Sequence, residues 1–418
     1  MATISPRTLG NGLRLYRIPV PGTRAVTILL AFDAGARTER PQENGMAHFL
    51  EHLVFKGGEK YPTYRDVNET AEGIGAVLNA YTSHDLVAFH ITARAQRGLE
   101  AADLLTDFVA RPRLDAEELD RERGVVVQEI ARAQDQPATQ AEHLIDEAVF
   151  GEHPLGRPVL GTVEHLRDTF TRESILAFRA RRWSPATAAA FVVGNLQALE
   201  GGELDELFER LEATPRPEPY DPAPEEQARV LVRERDSNQS HLRISYRPSI
   251  DVSSPRQRAA LTVYATLLGG SMGSRLFDEI REQRGLAYAV SAFPHAYSDT
   301  AVLQLSAGLQ SDKLAEAHRR MREIVDELRE HGPREAEVER ARAYAAGART
   351  LAFENTGAVA RHAAQQTIVF GEQPDVDAAI ELLDSVTFEE VREVAAGIAE
   401  LPAVACVGPH TVADLEAI

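Results

Sequence analysis

Apolar and polar residues alternate near the start of the chain, and this pattern predicts β-strands. Between Gly12 and Asp33 apolar side chains recur at every second position on both sides of a Pro-Val-Pro-Gly turn signal at 19–22, which predicts a hairpin of two strands. Residues 79–93 alternate in the same way around a break near 83–85 and predict two further strands. Apolar residues spaced three and four apart predict helices over 45–55, 64–74, 99–110 and 116–133. Because strands and helices come in mixed blocks, the pattern favours α+β layers over a parallel, doubly wound sheet.

A proline-rich stretch divides the chain close to its midpoint. Residues 214–226 read Thr-Pro-Arg-Pro-Glu-Pro-Tyr-Asp-Pro-Ala-Pro-Glu-Glu, a composition typical of an extended linker. Short segments recur on either side of it, since Val149–Pro154 resembles Val369–Pro374 and Glu118–Arg123 resembles Glu337–Arg342 at nearly the same spacing. This recurrence predicts two copies of one fold. The predicted domains cover residues 1–213 and 227–418.

The segment with the most chemical content is the predicted helix over 45–55. It carries His48, Glu51 and His52, so that two imidazoles and a carboxylate lie on one side of the helix within about one turn. Two imidazoles one turn apart can bind a zinc ion, and a carboxylate beside them can take a proton from water. The order His-x-x-Glu-His inverts the common His-Glu-x-x-His zinc signature. The alternative is a charged helix surface without metal, so a third ligand is needed to decide.

Two glutamates on the predicted helix over 116–133 are candidates for that third ligand. Glu122 and Glu129 are seven residues apart and lie along one stripe of the helix. Solvated carboxylates are the alternative, but Glu129 follows three valines, and a carboxylate in an apolar neighbourhood is costly unless it is paired or metal-bound. The recurring segment of the second half has Ala341 and Ala348 at the corresponding positions. Because the second half also lacks His-x-x-Glu-His, the sequence favours one zinc site, in the first half.

Composition narrows the range of partners. The chain has 418 residues, of which 44% are apolar and 26% are charged, as in an average globular protein. Its net charge of −19 argues against nucleic acid or an anionic membrane as the main partner. The single cysteine, Cys406, can form neither an internal disulfide nor a thiolate zinc site. No signal peptide or membrane-spanning run is visible, so we expect a cytoplasmic protein.

With these motifs the chain resembles the pitrilysin-type M16 zinc metallopeptidases, in particular the short two-domain branch that includes mitochondrial processing peptidase and its bacterial relatives. That family combines His-x-x-Glu-His with two later glutamates, and here Glu122 and Glu129 lie 70 and 77 residues after His52. The resemblance runs from Gly12 to about Pro409. It implies an α+β fold of the LuxS/M16 metalloenzyme type. Two tandem homologous domains would each form a mostly antiparallel sheet packed with helices.

The resemblance also implies roles for the residues of the zinc motif. Zinc, one ion per chain, would be held by His48, His52 and Glu129. Glu51 would be the general base of the reaction. Glu122 would join the catalytic set by orienting a ligating histidine, as outer partners of metal ligands usually do.

Two further pairs of residues match the parts of the family that bind substrate. Asn79 and Ala80 lie in a segment similar to the edge strand on which the family adds its substrate as an extra β-strand. Arg281 and Tyr288 have the spacing of the arginine and tyrosine that hold the substrate and stabilise the oxyanion. On the residues alone, an ordinary strand, a surface arginine and a core tyrosine are the alternatives.

Taken together, the resemblance implies a zinc-dependent endopeptidase that cleaves oligopeptides or unfolded segments inside a clamshell chamber. One chain would supply half of that chamber, so we expect a homodimer or a heterodimer with a related M16 subunit. The homodimer is favoured because the zinc motif and the pair Arg281 and Tyr288 occur in one chain. The alternative function is a non-catalytic core or scaffold subunit of the same family, which usually lacks zinc ligands.

Overall fold

The computed structural model describes residues 6–199, 201–225 and 228–416. The chain forms two compact units, each with one β-sheet. Unit 1 comprises Met1–Ile130, Pro158–Asp221 and Ala352–Val376, and unit 2 comprises Ala131–Arg157, Pro222–Leu351 and Asp377–Ile418. The predicted linker has neither helix nor strand over 214–225, and its last residue, Glu226, lies outside the described residues.

The sheet of unit 1 is mostly antiparallel. Its strands are β1 (Arg7–Thr8), β2 (Arg14–Pro19), β3 (Ala25–Phe32), β4 (Val77–Thr82), β5 (Val87–Arg94) and β6 (Ala189–Gly194). They lie in the order β1-β2-β6-β3-β5-β4, with β2 and β6 parallel. The predicted hairpin is wrong in its pairing, because β6 lies between β2 and β3 and pairs with both. Every residue of β6 is buried, as suits a strand inside a sheet.

The four helices predicted in the first half all form, as α1 to α4. The described α-helices of this half are α1 (Met46–Val54), α2 (Tyr64–Gly73), α3 (Gly98–Ala110), α4 (Ala116–Asp135), α5 (Pro137–Phe150), α6 (Val163–Asp168), α7 (Arg172–Arg182) and α8 (Glu203–Phe208). In unit 1, α3 packs on β3 and β5, and α1 packs on β4, β5 and α7. The apolar side chains of α1, among them Phe49, Leu50 and Leu53, are buried in this core.

The sheet of unit 2 repeats the strand order of unit 1. Its strands are β7 (Val230–Glu234), β8 (Gln239–Tyr246), β9 (Ala287–Ala296), β10 (Ala301–Gln310) and β11 (Ala403–Gly408). The order β7-β11-β8-β10-β9, with β7 and β11 parallel, matches β2-β6-β3-β5-β4 strand for strand. The predicted α+β fold with two homologous, mostly antiparallel sheets is thereby confirmed.

The second half of the chain contains seven described α-helices. They are α9 (Pro255–Ala265), α10 (Leu314–His331), α11 (Glu335–Ala352), α12 (Thr356–Ala364), α13 (Val376–Asp384), α14 (Phe388–Ala396) and α15 (Val412–Glu416), with π-helical turns at Thr266–Gly270, Phe277–Gln283 and Gln365–Val369. Cys406 is a buried free thiol in β11, and burial raises its pKa to about 12. Within the described residues no helix combines the length and the apolar character needed to cross a membrane.

Each unit also contains one helix from the other half of the sequence. α5 packs on β8 and β11 in unit 2, and α12 packs on β3 and β6 in unit 1. On the α12 side, the hydroxyls of Thr27 and Thr356 lie 2.8 Å apart. On the α5 side, Arg243 donates to Glu142 at 2.8 Å. The compact units therefore differ from the consecutive ranges 1–213 and 227–418, which stay a prediction about functional domains.

Candidate metal centre

The position of α1 is fixed at its first residue. Gly45 precedes it with a φ of 96°, and a Cβ there would lie 2.7 Å from the Cα of Gly161. Only glycine fits this turn without strain. Glu39 then caps the helix, because its two carboxylate oxygens accept the backbone N–H groups of Ala47 at 2.7 Å and Gly45 at 2.9 Å. Such caps satisfy donors that the first turn of a helix leaves unpaired.

The three predicted ligands converge in unit 1. His48 and His52 of α1 and Glu129 of α4 each offer one ligand atom within 4.8 Å of the others. The Oε2 atom of Glu129 lies 3.7 Å from Nε2 of His48 and 3.5 Å from Nε2 of His52. These separations are too long for hydrogen bonds. Tetrahedral zinc with ligand distances of about 2.0–2.2 Å holds its ligands about 3.3–3.6 Å apart. The separation from His52 lies in this range and the one from His48 is slightly longer, so the three donors are close enough to share one zinc ion.

The protonation of His48 also suits a metal ligand. Its imidazole is 7% exposed, and burial together with the nearby charge of His52 lowers its pKa to about 3. The ring is therefore neutral near pH 7, as metal binding requires. Its Nδ1 atom is buried and has no hydrogen-bond partner among the described residues. Packing, rather than a polar partner, holds this ring in place.

His52, in contrast, has a polar partner behind it. Its Nδ1 atom lies 2.8 Å from Oε1 of Glu122, and the second oxygen of Glu122 forms an ion pair with Lys56. Glu122 lies on the buried stripe of α4 together with Val126 and Ile130. Burial opposes a charge on either group. The hydrogen bond and charge of Glu122 nevertheless raise the pKa of His52, and His52 and Lys56 lower the pKa of Glu122.

Glu51 contacts the edge strand of the sheet. The Thr82 hydroxyl, at the end of β4, donates to Oε2 of Glu51. Burial raises the pKa of Glu51, while the Thr82 hydrogen bond and the charge of His52 partly offset that increase. A raised pKa is the direction that suits a carboxylate which takes up and releases a proton. The hydrogen bond also fixes the carboxylate relative to β4.

The structure corrects one argument about Glu129. The three valines before it were expected to give it an apolar neighbourhood. However, Val125 is 51% exposed and the Glu129 side chain is 42% exposed. The buried carboxylate of α4 is Glu122, since its side chain is 6% exposed. The valines therefore gave no information about metal binding, and the convergence with His48 and His52 carries that interpretation.

The predicted edge strand is present. β4 pairs only with β5 in the described sheet, and it carries Asn79 and Ala80. Asn79 is exposed, and its Oδ1 accepts the backbone N–H of Ala80 at 2.8 Å. A substrate strand added at this edge would compete with that local hydrogen bond. Substrate contact by the two residues stays a prediction.

Arg281 and Tyr288 belong to unit 2. Arg281 lies in a π-helical turn, and its guanidinium is 4.7 Å from the ring centroid of Phe277. Tyr288 lies in β9 and is 55% exposed, so the alternative of a core tyrosine is wrong. Its ring lies over Gly308 of β10, where an added Cβ would come within 2.6 Å of the tyrosine hydroxyl. The role of both side chains in substrate binding stays a prediction.

Sequence reasoning missed two residues that contact the site. Lys56 lies two residues beyond the end of α1 and pairs with Glu122 on α4, so the spacing of the motif gave no signal for it. Thr82 lies in the segment identified as an edge strand, but no spacing rule connects it with Glu51. Such a contact between a helix and a strand end depends on the tertiary fold.

Comparison with known proteins gives the family. The insulinase family of M16 peptidases matches residues 18–163, and the inactive domain of M16 peptidases matches residues 169–344. An uncharacterized zinc protease of Streptomyces coelicolor is 30% identical over 98% of this chain and 90% of its own length. The chain belongs to the M16 peptidase family. A second uncharacterized zinc protease, from Bacillus subtilis, is 29% identical over 93% of this chain and 94% of its own length.

Solved structures show the M16 fold for the whole chain. A peptidase M16 inactive domain from Pseudomonas fluorescens superposes with a TM-score of 0.89 at 18% identity, covering 98% of this chain and 99% of that one. A protease from Helicobacter pylori superposes with a TM-score of 0.88 at 20% identity, covering 98% and 100%. A chain of complex III2 from Candida albicans reaches 0.82 at 16% identity, covering 99% and 97%. At these identities the likeness concerns the fold alone.

Proposed function

We propose that this chain is a zinc-dependent endopeptidase that hydrolyses oligopeptides or unfolded segments. The observation that carries the proposal is the convergence of His48, His52 and Glu129 at separations that fit one zinc ion, with Glu51 on the same helix. The names of the relatives from Streptomyces coelicolor and Bacillus subtilis support the choice of zinc. We propose one ion per chain.

Each side chain then has a defined task. When bound by His48, His52 and Glu129, zinc would polarise the peptide carbonyl and make water more acidic. Glu51 takes a proton from the attacking water and gives it to the amine nitrogen that leaves. Thr82 keeps the Glu51 carboxylate in one orientation during both transfers. Glu122 holds the His52 ring through Nδ1, which leaves Nε2 available as a ligand atom.

Substrate binding is proposed for the exposed edge of β4. An extended peptide can add to an edge strand through main-chain hydrogen bonds, and Asn79 and Ala80 lie on that edge. The same strand ends at Thr82, which contacts Glu51, so a peptide paired with β4 would be held in register with the base. Arg281 and Tyr288 are proposed to hold the substrate and to stabilise negative charge on the carbonyl oxygen.

The working assembly is also part of the proposal. By its resemblance to the short M16 branch, the chain would work as a homodimer, or as a heterodimer with a related M16 subunit, around a chamber that admits extended peptides. Size-exclusion chromatography with light scattering on the purified chain measures its oligomeric state. A monomeric fraction that hydrolyses peptides as fast per chain as a dimeric one would contradict the dimeric chamber.

The Glu51→Gln variant tests the chemistry most directly. We expect it to bind zinc like the parent and to hydrolyse a mixture of quenched peptides at least about 100-fold more slowly, because the proton transfers are lost. Metal content is measured by mass spectrometry, and hydrolysis is measured with and without a zinc chelator. A variant that cleaves as fast as the parent would show that Glu51 is not the base.

A second candidate is a non-catalytic scaffold subunit. The chain of complex III2 from Candida albicans shows that the same fold also occurs in a subunit of a larger assembly. The same measurements separate the two functions. A scaffold subunit would contain no stoichiometric zinc and would cleave no peptide, whereas the peptidase would show both properties and lose both with the chelator.

A further inference from the structure

We propose that Lys56 is a positioning residue of the metal centre, which acts through Glu122 on His52. The inference rests on the proposed function in one respect, since it takes zinc as the ion that the centre binds. Lys56 lies in none of the sets that sequence or family resemblance assigned to the site. Its effect is on metal affinity, which can be measured without any peptide substrate.

The contacts form a continuous chain that ends at a ligand atom. Lys56 forms an ion pair with Oε2 of Glu122. The other oxygen of Glu122, Oε1, lies 2.8 Å from Nδ1 of His52. The opposite ring nitrogen of His52, Nε2, lies 3.5 Å from Oε2 of Glu129, inside the group of ligand atoms. Each oxygen of Glu122 therefore has one partner, His52 at Oε1 and Lys56 at Oε2.

Burial explains why this carboxylate needs a cation. The Glu122 side chain is 6% exposed and the Lys56 side chain is 19% exposed. A buried carboxylate that faced only a neutral imidazole would lack a counter-charge, which is costly. The Lys56 ammonium supplies that counter-charge at one oxygen, and the other oxygen accepts the N–H of the His52 ring. A histidine that donates from Nδ1 presents its Nε2 lone pair to a metal ion.

The backbone after α1 fixes the direction of Lys56. Lys56 follows the helix end and its N–H donates to the carbonyl of Leu53 at 3.1 Å. Gly57 has a φ of 133°, and a Cβ there would come within 2.5 Å of the Pro62 backbone. The turn is tied further along by the carboxylate of Asp107, which accepts the N–H of Lys60 at 3.0 Å. Lys56 is therefore presented from a rigid turn.

Lys60 provides a matched control from the same turn. It pairs with Asp103, and its side chain is 59% exposed. Removal of its charge should leave the metal centre unchanged, because neither partner contacts Glu122 or a ligand in the described structure. Lys56→Met and Lys60→Met each remove one ammonium and keep a similar apolar stem. The comparison separates a specific effect at Glu122 from a general effect of lost charge.

The experiment measures zinc affinity of the full-length chain, stripped of metal and titrated against a competing chelator. We expect Lys56→Met to weaken zinc binding about 10-fold or more, which is the effect of losing an outer partner of a metal ligand. Lys60→Met should match the parent, and Lys56→Arg should recover most of the affinity. In a Glu122→Gln background, Lys56→Met should cause no further loss, because the two residues act in one chain.

Three results would overturn the inference. Lys56→Met could bind zinc as tightly as the parent, it could lose the same factor in the Glu122→Gln background, or Lys60→Met could weaken zinc equally. Lys56→Gln, which also removes the charge, serves the same comparison if the methionine variant does not fold. Peptide hydrolysis is recorded on the same samples. A parent that binds zinc but cleaves nothing contradicts the proposed function and leaves the Lys56 result standing.

Discussion

The two helices α4 and α11 occupy corresponding places in the duplicated fold, yet they differ in chemistry. α4 carries Glu122 and Glu129 where α11 carries Ala341 and Ala348. Glu122 and Ala341 are both buried, at 5% and 4% exposure. The fold therefore accepts either a charged or an apolar residue at this place. The charged residue occurs where His52 and Lys56 are present to pair with it.

α11 has a buried carboxylate of its own, but it has a different kind of partner. Glu337 accepts two hydrogen bonds from Arg275, at 3.0 and 2.9 Å, and further bonds from Arg334. Burial opposes its charge, but the two arginines outweigh burial and lower its pKa to about 2. Arginines carry a permanent charge and bind no metal. A carboxylate held by arginines stabilises a fold, whereas one held by a histidine and a lysine can also tune a ligand.

The largest effect, on zinc affinity, should come from giving α4 the alanine that α11 has in place of Glu129. Glu129→Ala removes one of three donors, and we expect zinc affinity to fall by more than the roughly 10–100-fold that loss of an outer partner costs. Peptide hydrolysis should disappear with the metal. Zinc titration and a hydrolysis assay measure both effects. Glu117→Ala, an exposed glutamate on the same helix, is the control. Stoichiometric zinc in Glu129→Ala would remove this residue from the ligand set.

A smaller effect, and a different one, is expected at Glu337. Glu337→Gln leaves two guanidinium groups without their buried partner, so unfolding free energy should fall by about 3–5 kcal/mol while zinc affinity stays the same. The pKa is depressed, so the ion pair contributes stability above pH 4.5 and loses it as the pH falls towards 2. Glu339 is an exposed glutamate on the same helix, and Glu339→Gln is the control. Denaturant unfolding across this pH range should show a weaker acid dependence in Glu337→Gln than in this control. Altered zinc binding would contradict the contrast between the two helices.

The smallest effect concerns the contact between α1 and β4. Thr82→Val removes the hydroxyl that donates to Glu51, and we expect kcat to fall roughly 10-fold because the carboxylate is less well oriented. KM and zinc content should change little. Thr82→Ser, which keeps the hydroxyl, should restore the rate. If the serine and valine variants behave alike, the hydrogen bond does not position Glu51.

How far the sequence predicts this molecule depends on the distance along the chain. α1 and its three side chains follow from local spacing, and the repeat with its proline-rich boundary follows from composition. The pairing of β2 does not, because its partner β6 lies about 170 residues later and no local pattern selects it. The packing of α5 in unit 2 and of α12 in unit 1 was not predictable for the same reason. An amphipathic helix shows that it will be buried, but it does not show against which sheet.

The candidate site shows the same limit on a smaller scale. The motif and the position of Glu129 predict the candidate ligand set, whereas the valines before Glu129 carry no information about it. Glu122 was expected to orient a histidine, and the structure places it against His52. The contacts of Lys56 with Glu122 and of Thr82 with Glu51 were not predictable, because each joins two elements that only the folded chain brings together.

The exchanged helix α12 has a consequence for synthesis of the chain. All the described strands of unit 1 have been synthesised once Gly194 is added, but the helix that covers β3 and β6 begins only at Thr356. The buried surface of this sheet must wait for about 160 more residues, a long closure that slows folding. A gene shortened to its chemically equipped half would encode a sheet with one face bare. The half that lacks the zinc motif therefore supplies part of the packing of the half that carries it.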